Sequence, residues 1–159
     1  MRNLKTLILL VGLVLPITTT LSNNDDAGAV EDVKAAFVVL DKDGNIASRF
    51  SRGEPAVFRI TLTNPTAHDI KTTYTAPGYD ISIYAQGTDH LVWQAHAEAL
   101  FAQVIAQYVI KAREAKVIDT RWDLTDLNGA LVSRGTYEAK AHLNIGLMGD
   151  LPPLLVTIK

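Results

Sequence analysis

The stretch "YEAKAHLNI" (residues 137–145) decides the fold class. Tyr137, Ala139, Ala141, Leu143 and Ile145 fall on one side of an extended chain, and Glu138, Lys140, His142 and Asn144 on the other. Successive side chains of a strand point to opposite faces, so this pattern predicts a half-buried strand with its apolar face toward a core. Working outward, Ala56, Phe58, Ile60 and Leu62 alternate in the same way with Val57, Arg59, Thr61 and Thr63. Further strands are expected over Val33–Leu40, Ile46–Phe50, Ile70–Thr75, Ile81–Ala85, Leu91–Trp93, Tyr108–Ala112, Lys116–Trp122 and Leu154–Ile158. Turn signals separate them: Asp41-Lys42-Asp43-Gly44, Gly53-Glu54-Pro55, Asn64-Pro65-Thr66, Pro77-Gly78 and Gln86-Gly87-Thr88-Asp89. Ile46–Phe50 is expected to pair back on the first strand, and Pro77-Gly78 to end the fourth. One segment has a different period. Ala97, Leu100, Phe101, Val104 and Ile105 recur at i, i+3, i+4, i+7 and i+8, which predicts a short helix over about Ala95–Ile105. Many short strands with regular turns and one helical candidate predict an all-β protein, an antiparallel β-sandwich with one short helix or helical turn.

The length of 159 residues suits one domain. A domain of this size buries about two-thirds of its unfolded surface and needs no cross-links. Cysteine is absent, which excludes disulfides, thiolate metal sites and cysteine nucleophiles. Fifteen Lys and Arg against seventeen Asp and Glu leave a net charge of -2, so no basic excess points to nucleic acid. At the N-terminus, Arg2 and Lys5 precede an apolar run from Leu7 to Ile17 and then a polar stretch. That layout predicts a secretory signal peptide, cleaved after Ser22 or Ala29, and an extracytoplasmic protein, secreted or in the cell envelope. The alternative is a buried N-terminal hydrophobic segment. The run is shorter than the roughly 20 residues a spanning helix needs, so no stable membrane span is expected after cleavage. Residues 1–29 are thus assigned to a signal peptide and polar lead-in, and 30–159 to the domain.

The loop "RWDLTDLNG" (121–129) holds Asp123, Asp126, Asn128 and Gly129, residues that also occur in calcium loops. An EF-hand requires a bidentate Glu at its twelfth position. Counting from Asp126 gives Tyr137 there, and counting from Asp41 gives Arg52. Turn-making through the Asp and Asn side chains is the preferred reading, with a cation site as the alternative. The four histidines, His68, His90, His96 and His142, form no HxH or HExxH pair. Neither a GxSxG elbow nor a glycine-rich phosphate loop is present. Asp80, Ser82 and His90 make a triad only on paper. No catalytic, cofactor-binding or metal residue is assigned, no cofactor is expected, and the protein is read as not an enzyme. Trp93, Trp122, Phe101 and Tyr137 are expected in the core rather than on an aromatic ligand platform.

Four segments taken together resemble the intracellular proteinase inhibitor (BsuPI) family: "GEPAVFRITLTNPT" (53–66), "YDISIYAQGTDHLVWQAHAEALFAQV" (79–104), "RWDLTDLNG" (121–129) and "LVSRGTYEAKAHL" (131–143). The matching positions are Gly53-Glu54-Pro55, Thr63-Asn64, Tyr79-Asp80, Trp93, Phe101, Trp122-Asp123, Asp126, Gly129, Val132, Gly135 and Tyr137. The resemblance implies an immunoglobulin-like sandwich and a proteinase inhibitor or protease-binding module that acts through loops. Its implied partner is a protein, a serine protease in the first instance. It supplies no reactive-site motif, so the binding residues are unknown. The turns at Pro77-Gly78, Gly87-Thr88 and Gly129-Ala130 are the candidates. A non-inhibitory adhesion or assembly domain of the cell envelope is the alternative function.

Overall fold

A computed structural model describes residues 32–159 except Glu98, Gln103 and Leu147. The expectations for residues 1–29, a signal peptide and its cleavage, lie outside the described residues. Nine strands follow in order: β1 (Lys34–Leu40), β2 (Arg49–Phe50), β3 (Ala56–Thr63), β4 (Ile70–Ala85), β5 (Leu91–Gln94), β6 (Ile105–Ile110), β7 (Ala115–Trp122), β8 (Gly135–Ile145) and β9 (Leu154–Ile158). One sheet has the order β1-β3-β7. The other runs β2-β9-β8-β4, with β5 and β6 both on the far side of β4. Pairings are antiparallel except that of β2 with β9, which is parallel. The fold is an immunoglobulin-like β-sandwich.

The alternation read from the sequence is the alternation that packs. Ala56, Phe58, Ile60 and Leu62 of β3 are fully buried, as are Ala139 and Leu143 of β8. These two strands are central in their sheets, so their inward faces meet across the sandwich. Between the sheets stands Trp122, the last residue of β7, with no exposed surface. Its ring lies 6.2 Å from Phe58 of β3, 6.3 Å from Trp93 of β5 and 6.0 Å from Tyr137 of β8, and Phe37 of β1 extends the series beyond Phe58 at 5.8 Å. The indole N–H donates to the Thr125 carbonyl at 2.8 Å, which satisfies the one polar atom of the ring. Tyr137 donates its hydroxyl to the Ser133 carbonyl at 2.7 Å, four residues upstream. This is the tyrosine corner of immunoglobulin-like sandwiches.

Asn64 is the buried polar residue of the described core. Its amide nitrogen donates to the carbonyls of His68 (2.9 Å), Ile110 (3.0 Å) and Lys111 (3.1 Å). Its oxygen accepts from the amide and hydroxyl of Thr66. One side chain therefore ties the β3–β4 connection to the end of β6. A buried amide is tolerated here because it is saturated with partners.

Four expectations differ from the structure. Pro77-Gly78 does not end a strand. The Ala76–Pro77 peptide is cis, and the register with β8 shifts between Tyr74 and Tyr79, so the residues form an irregularity inside one 16-residue strand. Proline cannot donate to a ladder, and a bulge is one of the few places it fits. Ile46–Phe50 pairs back on β1 only through an Ile46–Leu40 bridge, and Arg49–Phe50 then joins β9 in the other sheet. The helix expected over Ala95–Ile105 is not formed: its described residues are turn and irregular chain, and β6 already begins at Ile105. Its apolar residues have no core to face, since Leu100, Val104 and Ile105 are exposed. Phe101, expected in the core, is likewise 40 % exposed.

Replacing Trp122 by Ala removes the ring against which Phe58, Trp93 and Tyr137 pack, and should destabilise the fold by about 3–5 kcal/mol in urea titration. Asn64→Ala and Asn64→Asp should both cost about 2–3 kcal/mol, because neither side chain donates to the three carbonyls. If shape alone mattered at this position, Asn64→Asp would be nearly neutral in the same titration.

Candidate functional site

The outer edge of β4 builds the most unusual surface of the described residues. β5 pairs with its C-terminal half, Gln94 opposite Ser82. β6 pairs with its N-terminal half, from Ile105 opposite Thr75 to Ile110 opposite Ile70. The two short strands are therefore collinear along one edge, and the residues between Gln94 and Ile105 have no place on it. The described ones are turn and irregular chain, and the segment is fixed at both ends by the strands that pair with β4. The amide of Ala95 still donates to the Ile81 carbonyl at 2.9 Å. Beyond it, the amides of Ala97 and Ala99 reach back only to Gln94 and His96.

The base of this loop is aromatic and polar. The His96 ring stands edge-on to Tyr79 of β4 at 5.0 Å and to Phe101 of the loop at 5.3 Å. Tyr79 in turn reaches across the sandwich, its hydroxyl oxygen accepting from Thr120 Oγ1 at 3.1 Å. Gln94 Nε2 donates to Asp80 Oδ2. Asp80 Oδ1 and His96 Nε2 are closed off from solvent without a hydrogen-bond partner. The tip is the opposite: Leu100 is fully exposed, and Val104 and Ile105 project from the same loop and the start of β6. Three of the six residues from 100 to 105 are thus large exposed aliphatics, and Phe101 is a half-covered aromatic. Exposed apolar groups gathered in one place mark an interaction surface more often than single ones do.

The turns singled out in the sequence are built differently. Gly87-Thr88 is the tight β4–β5 turn, with Thr88 N and Oγ1 both bonded to the Ala85 carbonyl. Asp126 and Asp41 organise two copies of one loop. In each, the aspartate Oδ1 accepts from the amides two and four residues on, Asn128 and Ala130 in one case and Asp43 and Asn45 in the other, all at 2.9 Å. In each, a glycine three residues after the aspartate takes positive φ, 78° at Gly129 and 83° at Gly44. This is the turn chemistry expected of these residues. Pro77-Gly78, inside β4, is not a turn at all. Among the described residues no three potential metal ligands come together. Asp80 takes its bond from Gln94 rather than from His90, and His142 pairs with Asp150 at 2.7 Å on the exposed face.

Several carboxylates are held below their ordinary range. For Asp41 the main cause is the Asn45 amide, for Asp69 the Lys111 ammonium, for Glu114 the Lys116 ammonium and for Asp119 the Arg59 guanidinium. A carboxylate with a depressed pKa in the folded state adds stability above its unfolded value and loses it as pH falls through the folded one. The melting temperature should therefore be level above pH 5, then fall below the ordinary values of 3.8 for Asp and 4.5 for Glu. The groups are solvated, so the fall should be shallow and smaller still at high salt.

The sequence matches the family model described as "Intracellular proteinase inhibitor", BsuPI, over residues 51–146. The chain belongs to the BsuPI family. The match takes in β3 to β8, including the loop between β5 and β6. Strands β1, β2 and β9 lie outside it. The family description also corrects the expected extracytoplasmic location: it is an intracellular family and points to the cytoplasm. The export pattern rests on Arg2 and Lys5, the Leu7–Ile17 run, and the polar stretch and small-residue sites after it, a layout that residue types alone do not tie to secretion. Among the described residues no helix is long and apolar enough to cross a membrane. No curated protein matches the BsuPI chain. Solved structures of similar shape include the C-terminal domain of Wzt, at 6% identity and TM-score 0.49, covering 80% of this chain and 74% of that one. Another is the CARDB domain of a Pyrococcus furiosus protein in complex with di-metal ions, at 12% identity and TM-score 0.40, covering 82% and 96%. A third is a Paenibacillus sp. cycloisomaltooligosaccharide glucanotransferase, at 12% identity and TM-score 0.45, with 77% of this chain covered. The chain spans only 13% of the length of that enzyme.

Proposed function

We propose that this BsuPI-family domain inhibits a serine protease by binding it through the loop between β5 and β6, with no chemistry of its own. The family supplies the class of activity. The observation that carries the choice of loop is the group of exposed apolar residues Leu100, Phe101 and Val104, with Ile105 at the start of β6, set between two strands that are both hydrogen-bonded to β4. Tight binding by a loop requires that its ends be fixed beforehand, since ordering it at the moment of binding costs affinity. The β4 ladder fixes the ends here, and the His96 contacts with Tyr79 and Phe101 fix the base. The tight Gly87-Thr88 turn has no apolar side chain to offer. The Asp126 loop carries the half-exposed Leu127 and Leu131, but its backbone amides at Asn128 and Ala130 are turned inward onto Asp126. The loop after β5 leaves more of its apolar surface free.

A working inhibitor reaches nanomolar affinity, about 12 kcal/mol. Titrating the full chain against subtilisin-like proteases should give stoichiometric loss of activity with the domain recovered uncut. Full protease activity at a large molar excess of the domain, or its rapid digestion, would remove the proposal.

A further inference from the structure

We infer that Leu100 is the side chain that enters the primary specificity pocket, so that the protease target has an apolar pocket. The inference rests on the inhibitory reading above and adds a residue and a target class to it. Leu100 is fully exposed, whereas its neighbour Phe101 has its ring edge against His96 and is 40 % exposed. Val104 lies next to β6, and its amide is bonded to the Ala102 carbonyl at 2.8 Å; Ile105 is already paired with Thr75. Within the described part of the loop, Leu100 is thus the apolar side chain with its whole surface available for transfer into a pocket. Full burial of such a side chain in an apolar pocket stabilises a complex, and the anchored base limits what ordering takes back. Serine proteases divide by this pocket: some have a hydrophobic slot, others a carboxylate that selects a cation. An uncharged, branched aliphatic side chain with no hydrogen-bonding group fits the slot and leaves the carboxylate unpaired.

The test uses three variants, Leu100→Arg, Leu100→Met and, as a control on the other apolar loop, Leu127→Arg. Each is titrated against a subtilisin- or chymotrypsin-like protease and a trypsin-like one, with its melting temperature measured alongside. The unmodified domain should inhibit the apolar-pocket protease. Leu100→Arg should lose that inhibition by at least about 30-fold, the size expected of a central contact residue, at an unchanged melting temperature. Leu100→Met should stay within about 3-fold of the parent, as volume-conserving apolar exchanges do, and Leu127→Arg should behave as the parent. A gain of trypsin inhibition by Leu100→Arg would add direct evidence that the side chain occupies the pocket. If the parent inhibits and Leu100→Arg inhibits equally well, Leu100 is not the pocket residue while the inhibitory reading stands. If only Leu127→Arg loses inhibition, the Asp126 loop is the binding element and the inference is overturned. If the parent inhibits no protease, and Leu100→Arg instead dissolves a dimer seen by gel filtration, the loop serves self-association and both readings fall together.

Discussion

The arrangement depends on the length of β4. A 16-residue strand in the middle of a sandwich presents more edge than any one neighbour of ordinary length covers. On one side β8 covers half of it, from Tyr79 to Ala85 with a further pair at Tyr74. On the other side two short strands divide it, β5 at one half and β6 at the other. The cis peptide and register shift at Ala76-Pro77-Gly78 lie at the division. The chain between β5 and β6 must therefore leave the sheet and return to it, and that excursion is the exposed loop. An open sheet edge is a hazard that proteins usually cover or blunt. Here the same interruption that shortens the edge strands also leaves Leu100, Val104 and Ile105 exposed beside that edge.

A projecting loop is useful as a binding element only if its platform is stiff, and two devices supply that. The first is the series of rings from Phe37 through Phe58 and Trp122 to Trp93 and Tyr137, which crosses between the sheets and joins β1, β3, β7, β5 and β8. Aromatic pairs add about 1 kcal/mol each to the area they hide, and they restrict relative sliding of the sheets. The second is Asn64, which binds the end of β6 to the β3–β4 connection through three carbonyls. Outside it, Lys111–Asp69 and Lys116–Glu114 reinforce the same corner at 2.8 and 3.1 Å. Those exposed pairs contribute little by themselves. The buried amide holds the strand whose other end carries Ile105.

The sandwich was legible in the sequence because burial on one face writes a period of two into strands such as β3 and β8. The turns at Asp41 and Asp126 were legible because each spends its aspartate on its own backbone, and the glycine three residues on can take positive φ. The tip loop was misread for a physical reason. Its apolar residues recur at helical spacing, but a helical stripe implies a core to face, and Leu100, Phe101, Val104 and Ile105 face solvent instead. Periodicity reports which residues are apolar, not what lies opposite them. The continuity of β4 was hidden in the same manner, since Pro-Gly normally punctuates a strand and only the flanking pairings with β6 and β8 carry the chain through it. The loop's role as the candidate site was thus present in the sequence as Leu100, Phe101, Val104 and Ile105, and obscured by the helix their spacing suggested.

The position of β9 has a consequence for how the molecule is made. It is the last of the nine described strands in chain order, yet it sits inside the larger sheet, between β2 and β8. Phe50 waits for a partner, Ile158, that lies roughly a hundred residues later in the chain. On a ribosome, β2 is synthesised early and can find no place until the end of the domain has emerged. Until then β8 keeps one bare edge, and Phe50 has no sheet to be buried in. Pairing at such sequence separation is slow, because the chain entropy is lost before the contact is gained. The family match ends at residue 146, before this strand. The segment that matches the family model is therefore completed, during synthesis, ahead of the strand that closes the larger sheet.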